Sequence, residues 1–287
     1  MVIKKIGITS KPGKEEVREI VPSLLRWLEE RHIEAFIDRE TGEALNTSSG
    51  VLAREDIPAQ VDLIVVLGGD GTLLATARAL HRRSVPILAV NLGGLGFLTV
   101  ITRGELFTTL EALLEGKLWV EHRVQLEAEL VRAGASLSSF DALNDVVLNK
   151  GAIARLVDFA VEVDGRLLST YKADGLIVST PTGSTAYSLA AGGPVMVPDA
   201  SAFIINPICG HTLTNRAIVL PDSVRIEVTV RGPTESVYLT VDGQVAIELR
   251  EQDCIRMRKA PAFVDLVQPV HRDYFEILRR KLKWGER

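Results

Sequence analysis

One stretch of the chain restricts the possible folds more than any other. Residues 61–67 form an almost unbroken apolar run, a cluster of glycines surrounds Asp70, and an Ala- and Leu-rich helical pattern continues to about Leu80. A continuous apolar run of this length is typical of a strand that is buried on both faces. The stretch therefore predicts a buried strand, a tight loop and the N-terminus of a helix.

The loop itself, Gly68-Gly69-Asp70-Gly71-Thr72, has the composition of a phosphate-binding loop. Glycines let a ligand approach the backbone closely, and the free N–H groups at the start of a helix attract an anion. The carboxylate of Asp70 would repel a phosphate unless it accepts a proton, orients a hydroxyl or shares a metal ion. The loop thus favours phosphoryl transfer over the alternative, a structural turn in which Asp70 caps the helix. It matches neither a Walker A loop nor the GxGxxG fingerprint.

Composition and charge exclude several classes of protein. With 287 residues, of which 46% are hydrophobic, the chain is long enough for one large or two ordinary domains. A net charge of −4 predicts no nucleic-acid partner. Cys209 and Cys254 lack the spacing of a disulfide framework or a zinc site, which favours a reducing compartment. Since no long apolar segment or leader pattern occurs, we expect a cytoplasmic protein with no membrane partner.

The first third of the chain alternates strand and helix patterns. Strands are predicted at residues 2–8, 34–37 and 85–90. Between the first two, apolar residues from Val17 to Leu28 recur at helical spacing, and Pro22 within them predicts a kink or break near Arg18. Residues 38–60 are predicted to be a loop with at most one short helical turn.

A second glycine-rich turn, residues 91–98, follows the strand predicted at residues 85–90. In an open parallel sheet, ligands bind at the carboxyl ends of neighbouring strands. The two glycine-rich turns therefore predict one shared crevice. The alternative is that the second turn only supports the first loop.

The pattern changes after a helix that begins with the capping-box spacing Thr102–Glu105 and continues to about Leu114. From Val124 onward, short runs alternate apolar and polar residues, and two of them end in the hairpin signals Asp164-Gly165 and Asp242-Gly243. Such strands are typical of an antiparallel sandwich. We predict an α/β domain at residues 1–120, completed by residues 265–287 with a helix at 272–283, and a β-sandwich domain at residues 121–264.

Polar residues interrupt the predicted strands of the second domain. Asn144 and Asp145 place an amide beside a carboxylate, which suits a base edge or a ribose diol, although an Asx turn is equally consistent. Lys172 and Asp174 would share a strand face, and a simple ion pair is the default interpretation. His211 either titrates near neutrality or serves as a structural hydrogen-bonding residue.

The segment 179–188 contains six Ser or Thr residues together with Tyr187. These hydroxyl groups could hold a sugar-phosphate, while the aromatic ring could stack on a base. The alternative is a structural turn that is capped by its own hydroxyl groups. We expect a ligand-binding segment, because so many unpaired hydroxyl groups beside apolar strands are otherwise costly.

Taken in this order, the motifs resemble those of the NAD kinase family, which phosphorylates the 2′-hydroxyl of the adenosine ribose of NAD to give NADP. The first loop is shared with diacylglycerol and sphingosine kinases, whereas the segment 174–190 is far more specific. Gly210 stands where the family has a proline. The matching segments are 68–72, 91–98, 144–145, 174–175, 182–190, 211–213 and 242–244.

The resemblance implies an N-terminal Rossmann-like α/β domain and a C-terminal antiparallel β-sandwich domain that binds NAD. It implies that Asp70 is the general base and that Gly68, Gly69, Gly71 and Thr72 form the phosphate loop for ATP. A basic residue at Lys172 resembles the members that prefer oxidised NAD to NADH. The NAD-binding residues that it implies are Asp70, Gly71, Asn144, Asp145, Arg155, Lys172, Asp174, Thr185, Ala186, Tyr187, Ser188, Leu189, Ala190 and Gln244.

The same resemblance implies Mg²⁺ that is carried mainly by the nucleotide phosphates, and a homodimer or homotetramer. Two alternatives stay open at this point. A lipid kinase of the diacylglycerol or sphingosine type would share the Asp70 loop but lack the hydroxyl-rich segment. A non-catalytic NAD-binding sensor would keep the fold and lack Asp70, which is present here.

Overall fold

The computed structural model describes residues 3–13, 15–117, 119–151, 157–212, 214–232, 237–269 and 273–285. The chain forms two compact units. Unit 1 comprises residues 1–122 and 264–287, and unit 2 comprises residues 123–263. These bounds differ by one or two residues from the domain limits predicted above.

Unit 1 is built on a parallel sheet with helices. Its strands are β1 (Lys5–Ser10), β2 (Glu34–Asp38), β3 (Val51–Leu52), β4 (Leu63–Leu67), β5 (Ile87–Asn91) and β6 (Ile101–Thr102). Its helices before the second unit are α1 (Glu15–Glu29), α2 (Arg39–Leu45), α3 (Asp70–Ala79) and α4 (Leu106–Leu114). The sheet order is β5-β4-β1-β2-β3, and every neighbouring pair is parallel. The predicted buried strand is β4, whose five residues are all buried.

Helix α1 shows where packing overrides a local signal. The helix runs from Glu15 to Glu29 with Pro22 inside it, so a break near Arg18 does not occur. Its apolar face, which includes Val17, is fully buried in the core of unit 1. Burial of several large side chains offsets the hydrogen bond that a proline cannot donate.

The segment 38–60 is more regular than predicted. It contains helix α2, strand β3 and a 3-10 helix at Ile57–Ala59 instead of a loop. Asp38 caps α2 by accepting a hydrogen bond from the backbone N–H of Thr41 (2.9 Å), and the guanidinium of Arg54 pairs with the same buried carboxylate (2.6 Å). A buried carboxylate that is capped and paired in this way fixes the backbone around it.

The two glycine-rich turns leave the same edge of the sheet. Strands β4 and β5 are parallel neighbours, so the loop after Leu67 and the loop that begins at Asn91 start side by side. The predicted capping box is present, since the backbone N–H of Thr102 donates to the Glu105 carboxylate (2.8 Å).

Unit 2 is a sandwich of antiparallel sheets, and its first and last strands extend a few residues beyond its limits, to Trp119 and Gln268. Its elements are β7 (Trp119–Arg132), β8 (Ala135–Ala142), β9 (Asp145–Lys150), β10 (Val157–Val163), β11 (Arg166–Ala173), β12 (Gly175–Ser179), α5 (Tyr187–Ala190), β13 (Ala202–Ile208), β14 (Ile218–Pro221), β15 (Ile226–Arg231), β16 (Val237–Val241), β17 (Val245–Leu249) and β18 (Cys254–Gln268). One sheet has the order β14-β13-β12-β9-β16-β17, and the other joins β11, β10, β15 and β18. Their inner faces share one apolar core around Phe159 and Phe203. The predicted fold class is confirmed.

Both predicted hairpin turns have the expected backbone. Asp164 and Gly165 have φ values of 48° and 72°, and Asp242 and Gly243 have φ values of 50° and 64°. Two successive positive φ angles are the signature of the tight hairpin turns that Asp-Gly favours.

The chain closes with helix α6 (Tyr274–Leu282) in unit 1, where residues 272–283 were predicted to be helical. Asp273 caps this helix by accepting from the backbone N–H of Phe275 (3.0 Å). Arg272 lies outside the described residues, as does Val2 of the first predicted strand. In the described part of the chain, no helix combines the length and the apolar character needed to cross a bilayer.

Candidate active site

Asp70 is the first residue of α3, and its carboxylate turns onto the second glycine-rich loop. Its Oδ2 accepts from the backbone N–H of Phe97 (2.9 Å), and its Oδ1 accepts from those of Leu98 (3.2 Å) and Thr99 (3.0 Å). The hydroxyl of Thr99 also donates to Oδ1 (2.9 Å). The two loops therefore meet at Asp70, which agrees with a shared crevice and equally with a second turn that supports the first loop. The helix N-cap is Gly69, so Asp70 does not cap α3.

The second loop is itself braced by its polar residues. Asn91 donates to the carbonyl of Gly94 (2.7 Å) and to the hydroxyl of Thr99 (2.9 Å), and it accepts from the N–H of Gly93 (2.6 Å). Thr99 is fully buried. Asn91 and Thr99 thus fix the loop in the shape that presents its N–H groups to Asp70.

The glycines of the first loop have different roles. A Cβ on Gly68 would overlap the hydroxyl of Thr72, so this position needs glycine for packing. No atom would lie within 4 Å of a Cβ on Gly69 or Gly71. The loop is therefore tightly packed at Gly68, whereas Gly69 and Gly71 face space where a side chain would be. A ligand can occupy this space beside Asp70.

In unit 2, Asp145 and Asp242 form the centre of a second polar cluster. The carboxylate of Asp242 accepts from the N–H groups of Leu143 (2.9 Å), Asn144 (2.7 Å) and Asp145 (3.1 Å). Asp145 is only 4% exposed. Burial, and then the negative charge of Asp242, raises the pKa of Asp145 to about 7, while a hydrogen bond from the backbone of Tyr187 opposes the rise.

This shift has a measurable effect on stability. Because the pKa of Asp145 is higher in the folded state (about 7) than its ordinary value of 3.8, the folded chain holds a proton that the unfolded chain releases. The free energy of unfolding therefore falls as pH rises from 4 to 7, by about 2–3 kcal/mol between pH 5 and 7. We expect Asp145→Asn to remove this decrease, so that the variant exceeds the wild type in stability at pH 8. Chemical denaturation at pH 5 to 8 measures both curves.

Asp164→Asn is the control for that measurement. Asp164 occupies the same type of Asp-Gly turn in unit 2, where its carboxylate accepts from the N–H of Arg225 (2.9 Å). It should keep the wild-type slope between pH 5 and 7. An Asp145→Asn variant whose stability declined with pH as steeply as the wild type would contradict the assignment.

The hydroxyl-rich segment is braced internally, contrary to the prediction of a free donor array. Ser179, Thr180, Ser184 and Ser188 are fully buried. Thr180 donates to the carbonyl of Leu143 (2.5 Å), and Ser184 donates to that of Pro181 (2.6 Å). The alternative of a structural turn capped by its own hydroxyl groups describes these groups correctly. Counting hydroxyl groups in a sequence does not reveal which of them already have partners.

The same segment still presents groups to solvent. Its short helices are a 3-10 turn at Thr182–Thr185 and α5. Tyr187 is 44% exposed, Ala190 is exposed, and Thr185, Ala186 and Leu189 are partly exposed. A ligand can therefore contact the aromatic ring and the backbone here, while Ser188 is inaccessible through its side chain.

The remaining predicted residues are one ion-paired carboxylate, three exposed side chains and one residue outside the described part of the chain. Asp174 pairs with Lys150 (2.9 Å), whereas the default interpretation paired it with Lys172, which is exposed. Gln244 is exposed beside Asp242 in the same hairpin turn. Arg155 lies outside the described residues. His211 is exposed, and its backbone N–H donates to the carbonyl of Lys172 (3.0 Å).

Sequence reasoning assigned no role to three residues of these clusters. Gly96 faces Asp70 so closely that a Cβ would overlap Asp70 Oδ1. Thr99 donates twice to the same carboxylate, and Asp242 binds three backbone N–H groups. The hairpin signal at Asp242-Gly243 marked a turn but contained no information about the strand that Asp242 contacts.

A carboxylate held at a glycine-rich loop and a helix N-terminus, in an α/β unit, fits the needs of a phosphotransferase for a positioned proton acceptor and an anion site. Comparisons with known proteins identify the family within this class. The family models described as ATP-NAD kinase N-terminal domain and ATP-NAD kinase C-terminal domain match residues 6–118 and 143–268.

Full-length relatives agree with the family models. The NAD kinase of Solibacter usitatus is 49% identical over 286 residues, which cover 100% of this chain and 99% of the relative. That of Geotalea daltonii is 48% identical over 99% of this chain and 100% of its own length. The chain belongs to the NAD kinase family, and it is thus a transferase that phosphorylates NAD to NADP.

Solved structures share the fold. The crystal structure of yeast NADH kinase complexed with NADH has a TM-score of 0.92 and 27% identity, covering 100% of this chain and 89% of the yeast chain. An NAD kinase from Archaeoglobus fulgidus in complex with ATP has a TM-score of 0.79 and 24% identity, covering 97% of this chain and 98% of its own, which shows likeness of fold alone.

Proposed function

We propose that the protein transfers the γ-phosphoryl group of ATP to the 2′-hydroxyl of the adenosine ribose of NAD, with Asp70 as the general base. The observation that carries this proposal is the carboxylate of Asp70, which four donors hold beside Gly69 and Gly71, where no atom would lie within 4 Å of an added Cβ. Phosphoryl transfer requires in-line positioning, a proton acceptor and stabilisation of charge more than covalent chemistry by the protein.

One oxygen of Asp70 is better suited to accept the proton. A carboxylate has about four acceptor positions, two on each oxygen. Oδ1 already accepts three hydrogen bonds, whereas Oδ2 accepts one, from Phe97. We therefore assign Oδ2 as the atom that takes the proton from the ribose hydroxyl as this oxygen attacks phosphorus.

The phosphates would be bound by the loop that contains Gly68, Gly69, Gly71 and Thr72. Helix α3 begins at Asp70, directly after these glycines, and the N-terminus of a helix favours an anion. The name of the matching family models supports ATP as the donor. Other triphosphates or polyphosphate would meet the same loop, so the donor is tested directly below.

Mg²⁺ fits this donor set. It prefers phosphate oxygens and water, and it typically takes one or two protein carboxylates. Among the described residues no group of three or more His, Cys, Asp or Glu could hold a metal by itself, so the ion would be carried mainly by the nucleotide phosphates. Bound to the phosphates, the ion would neutralise charge that develops during transfer.

The dinucleotide would be bound by unit 2. Asn144 and Asp145 offer an amide and a carboxylate, Tyr187 offers a ring that is 44% exposed, and the backbone of residues 185–190 is accessible. A relative at 27% identity, the yeast NADH kinase, was crystallised with NADH, which supports a dinucleotide as the ligand. Lys172 favours oxidised NAD.

A coupled assay tests the reaction. The purified protein is incubated with NAD, ATP and Mg²⁺, and an NADP-specific dehydrogenase then reports the product. We expect NADP to form with ATP, and to form more slowly when NADH replaces NAD as acceptor. Binding of NAD by calorimetry without any product from ATP or polyphosphate would contradict the kinase proposal and favour a sensor.

We further propose that the protein is a homodimer or a homotetramer. Light scattering coupled to size exclusion gives the mass directly, and a mass of one 31.3 kDa chain would contradict this proposal.

A further inference from the structure

Asp242 makes more contacts than its turn requires. It accepts from three consecutive N–H groups, those of residues 143–145, and its own N–H donates to the carbonyl of Asp145 (3.0 Å). The equivalent aspartate in the other Asp-Gly turn, Asp164, likewise donates its own N–H, to the carbonyl of Arg225 (2.9 Å), but its carboxylate accepts from one N–H, that of Arg225 (2.9 Å). The additional bonds of Asp242 therefore serve the segment that it contacts rather than the hairpin.

The same segment is also held from its opposite side. The carbonyl of Asn144 accepts from the N–H of Thr180 (2.9 Å), and the hydroxyl of Thr180 donates to the carbonyl of Leu143 (2.5 Å). A Cβ on Gly183 would overlap the carbonyl oxygen of Asn144. The backbone at Asn144 is thus fixed on both sides, and this sets the directions in which the side chains of Asn144 and Asp145 leave it.

We infer that Asp242 is a positioning residue of the dinucleotide site, where its carboxylate fixes the backbone of residues 143–145 and so aims Asn144 and Asp145 at NAD. The inference rests on the proposed function, since it takes these two side chains to be NAD ligands. Charge-assisted bonds from a carboxylate to backbone N–H groups are stronger than neutral ones, so one side chain can hold the whole turn.

Asp242 also influences Asp145 through its charge. The groups that act on Asp145 are the carboxylate of Asp242 and the backbone N–H of Tyr187. Removing the charge of Asp242 lowers the pKa of Asp145, because a neighbouring negative charge disfavours the ionised form. If Asp242 only stabilised the fold, its removal would not shift the midpoint of the pH dependence of the Kd of NAD.

The test compares Asp242→Asn with Asp164→Asn, and NAD is the ligand in both cases. Calorimetry at pH 6 to 8 gives the Kd of NAD, and steady-state assays give kcat and KM. For Asp242→Asn we expect Kd and KM to rise at least about tenfold, which corresponds to 1.4 kcal/mol, with kcat changed less than threefold. The midpoint of the pH dependence of Kd should move to lower pH. Asp164→Asn should match the wild type.

Three outcomes separate the possibilities. A folded Asp242→Asn variant with wild-type Kd and midpoint overturns this inference and leaves the proposed function intact. A wild-type protein that does not bind NAD overturns the proposed function, and this inference with it. Should Asp242→Asn fail to fold, Gly183→Ala displaces Asn144 without changing any charge. It should raise Kd at an unchanged midpoint, and a wild-type Kd would overturn the inference.

Discussion

Replacing Asp70 with asparagine should reduce kcat by about 10²–10⁴-fold, the range that a positioned general base contributes. An amide cannot accept the proton of the ribose hydroxyl, although its oxygen can keep the bonds that Oδ1 accepts from Leu98 and Thr99. The affinity for NAD should be largely kept, because the groups proposed to bind it lie mostly in unit 2. The coupled assay measures kcat, and calorimetry measures the Kd of NAD.

Thr99→Val separates the chemical role of Asp70 from its structural role. The valine removes the hydroxyl that donates to Oδ1 (2.9 Å) and accepts from the side-chain amide of Asn91 (2.9 Å), but both carboxylate oxygens stay in place. Of the two hydrogen bonds lost, one acts on the carboxylate, and its loss costs about 0.5–1.5 kcal/mol, so kcat should fall by about tenfold at most. If Thr99→Val lost as much activity as Asp70→Asn, the carboxylate would serve to hold the loop rather than to accept the proton.

Local patterns were sufficient to predict the fold class. The apolar run before Gly68, the capping box at Thr102 and the two Asp-Gly signals each act within a few residues, and the structure contains the predicted element in each case. Elements of this kind follow from propensity and periodicity, which a single sequence shows directly.

The incorrect predictions have long-range causes. Arg54 pairs with Asp38 and orders a segment that contains too many polar and turn residues to predict a helix. Helix α1 continues through Pro22 because a buried apolar face stabilises it. In both cases a contact or a burial that is absent from the local sequence outweighs the local signal.

The candidate site also contains residues that local patterns predict and residues whose contacts are long-range. Asp70 and the meeting of the two glycine-rich loops were predictable, since adjacent parallel strands place their carboxyl ends together. Asp242 was not, because it binds residues 97 to 99 positions away along the chain. The buried hydroxyl groups of Ser179 and Thr180 were misread because their partners are backbone carbonyls, which composition does not reveal.

Replacing Gly96 with alanine should reduce kcat by about 100-fold, even though Gly96 has no functional group. A Cβ at this position would overlap Asp70 Oδ1 and Thr99 Oγ1 and would lie 2.8 Å from Asp70 Cγ. The carboxylate must therefore move by a substantial fraction of an ångström, and a misplacement of about 1 Å in a catalytic group costs about 10²-fold. The extra methyl group should also lower the free energy of unfolding by about 1–3 kcal/mol.

Gly94→Ala is the matched control, since it adds the same methyl group to the same loop. No atom lies within 4 Å of a Cβ on Gly94, and its φ is not in the left-handed region, so alanine fits without strain. Its kcat and midpoint of thermal unfolding should remain close to those of the wild type. If Gly96→Ala kept full kcat, turnover would not depend on the position that Phe97, Leu98 and Thr99 give to Asp70, and the prediction would be wrong. Equal losses in both variants would assign the effect to the loop as a whole, whereas a selective loss at Gly96 ties turnover to the placement of one carboxylate.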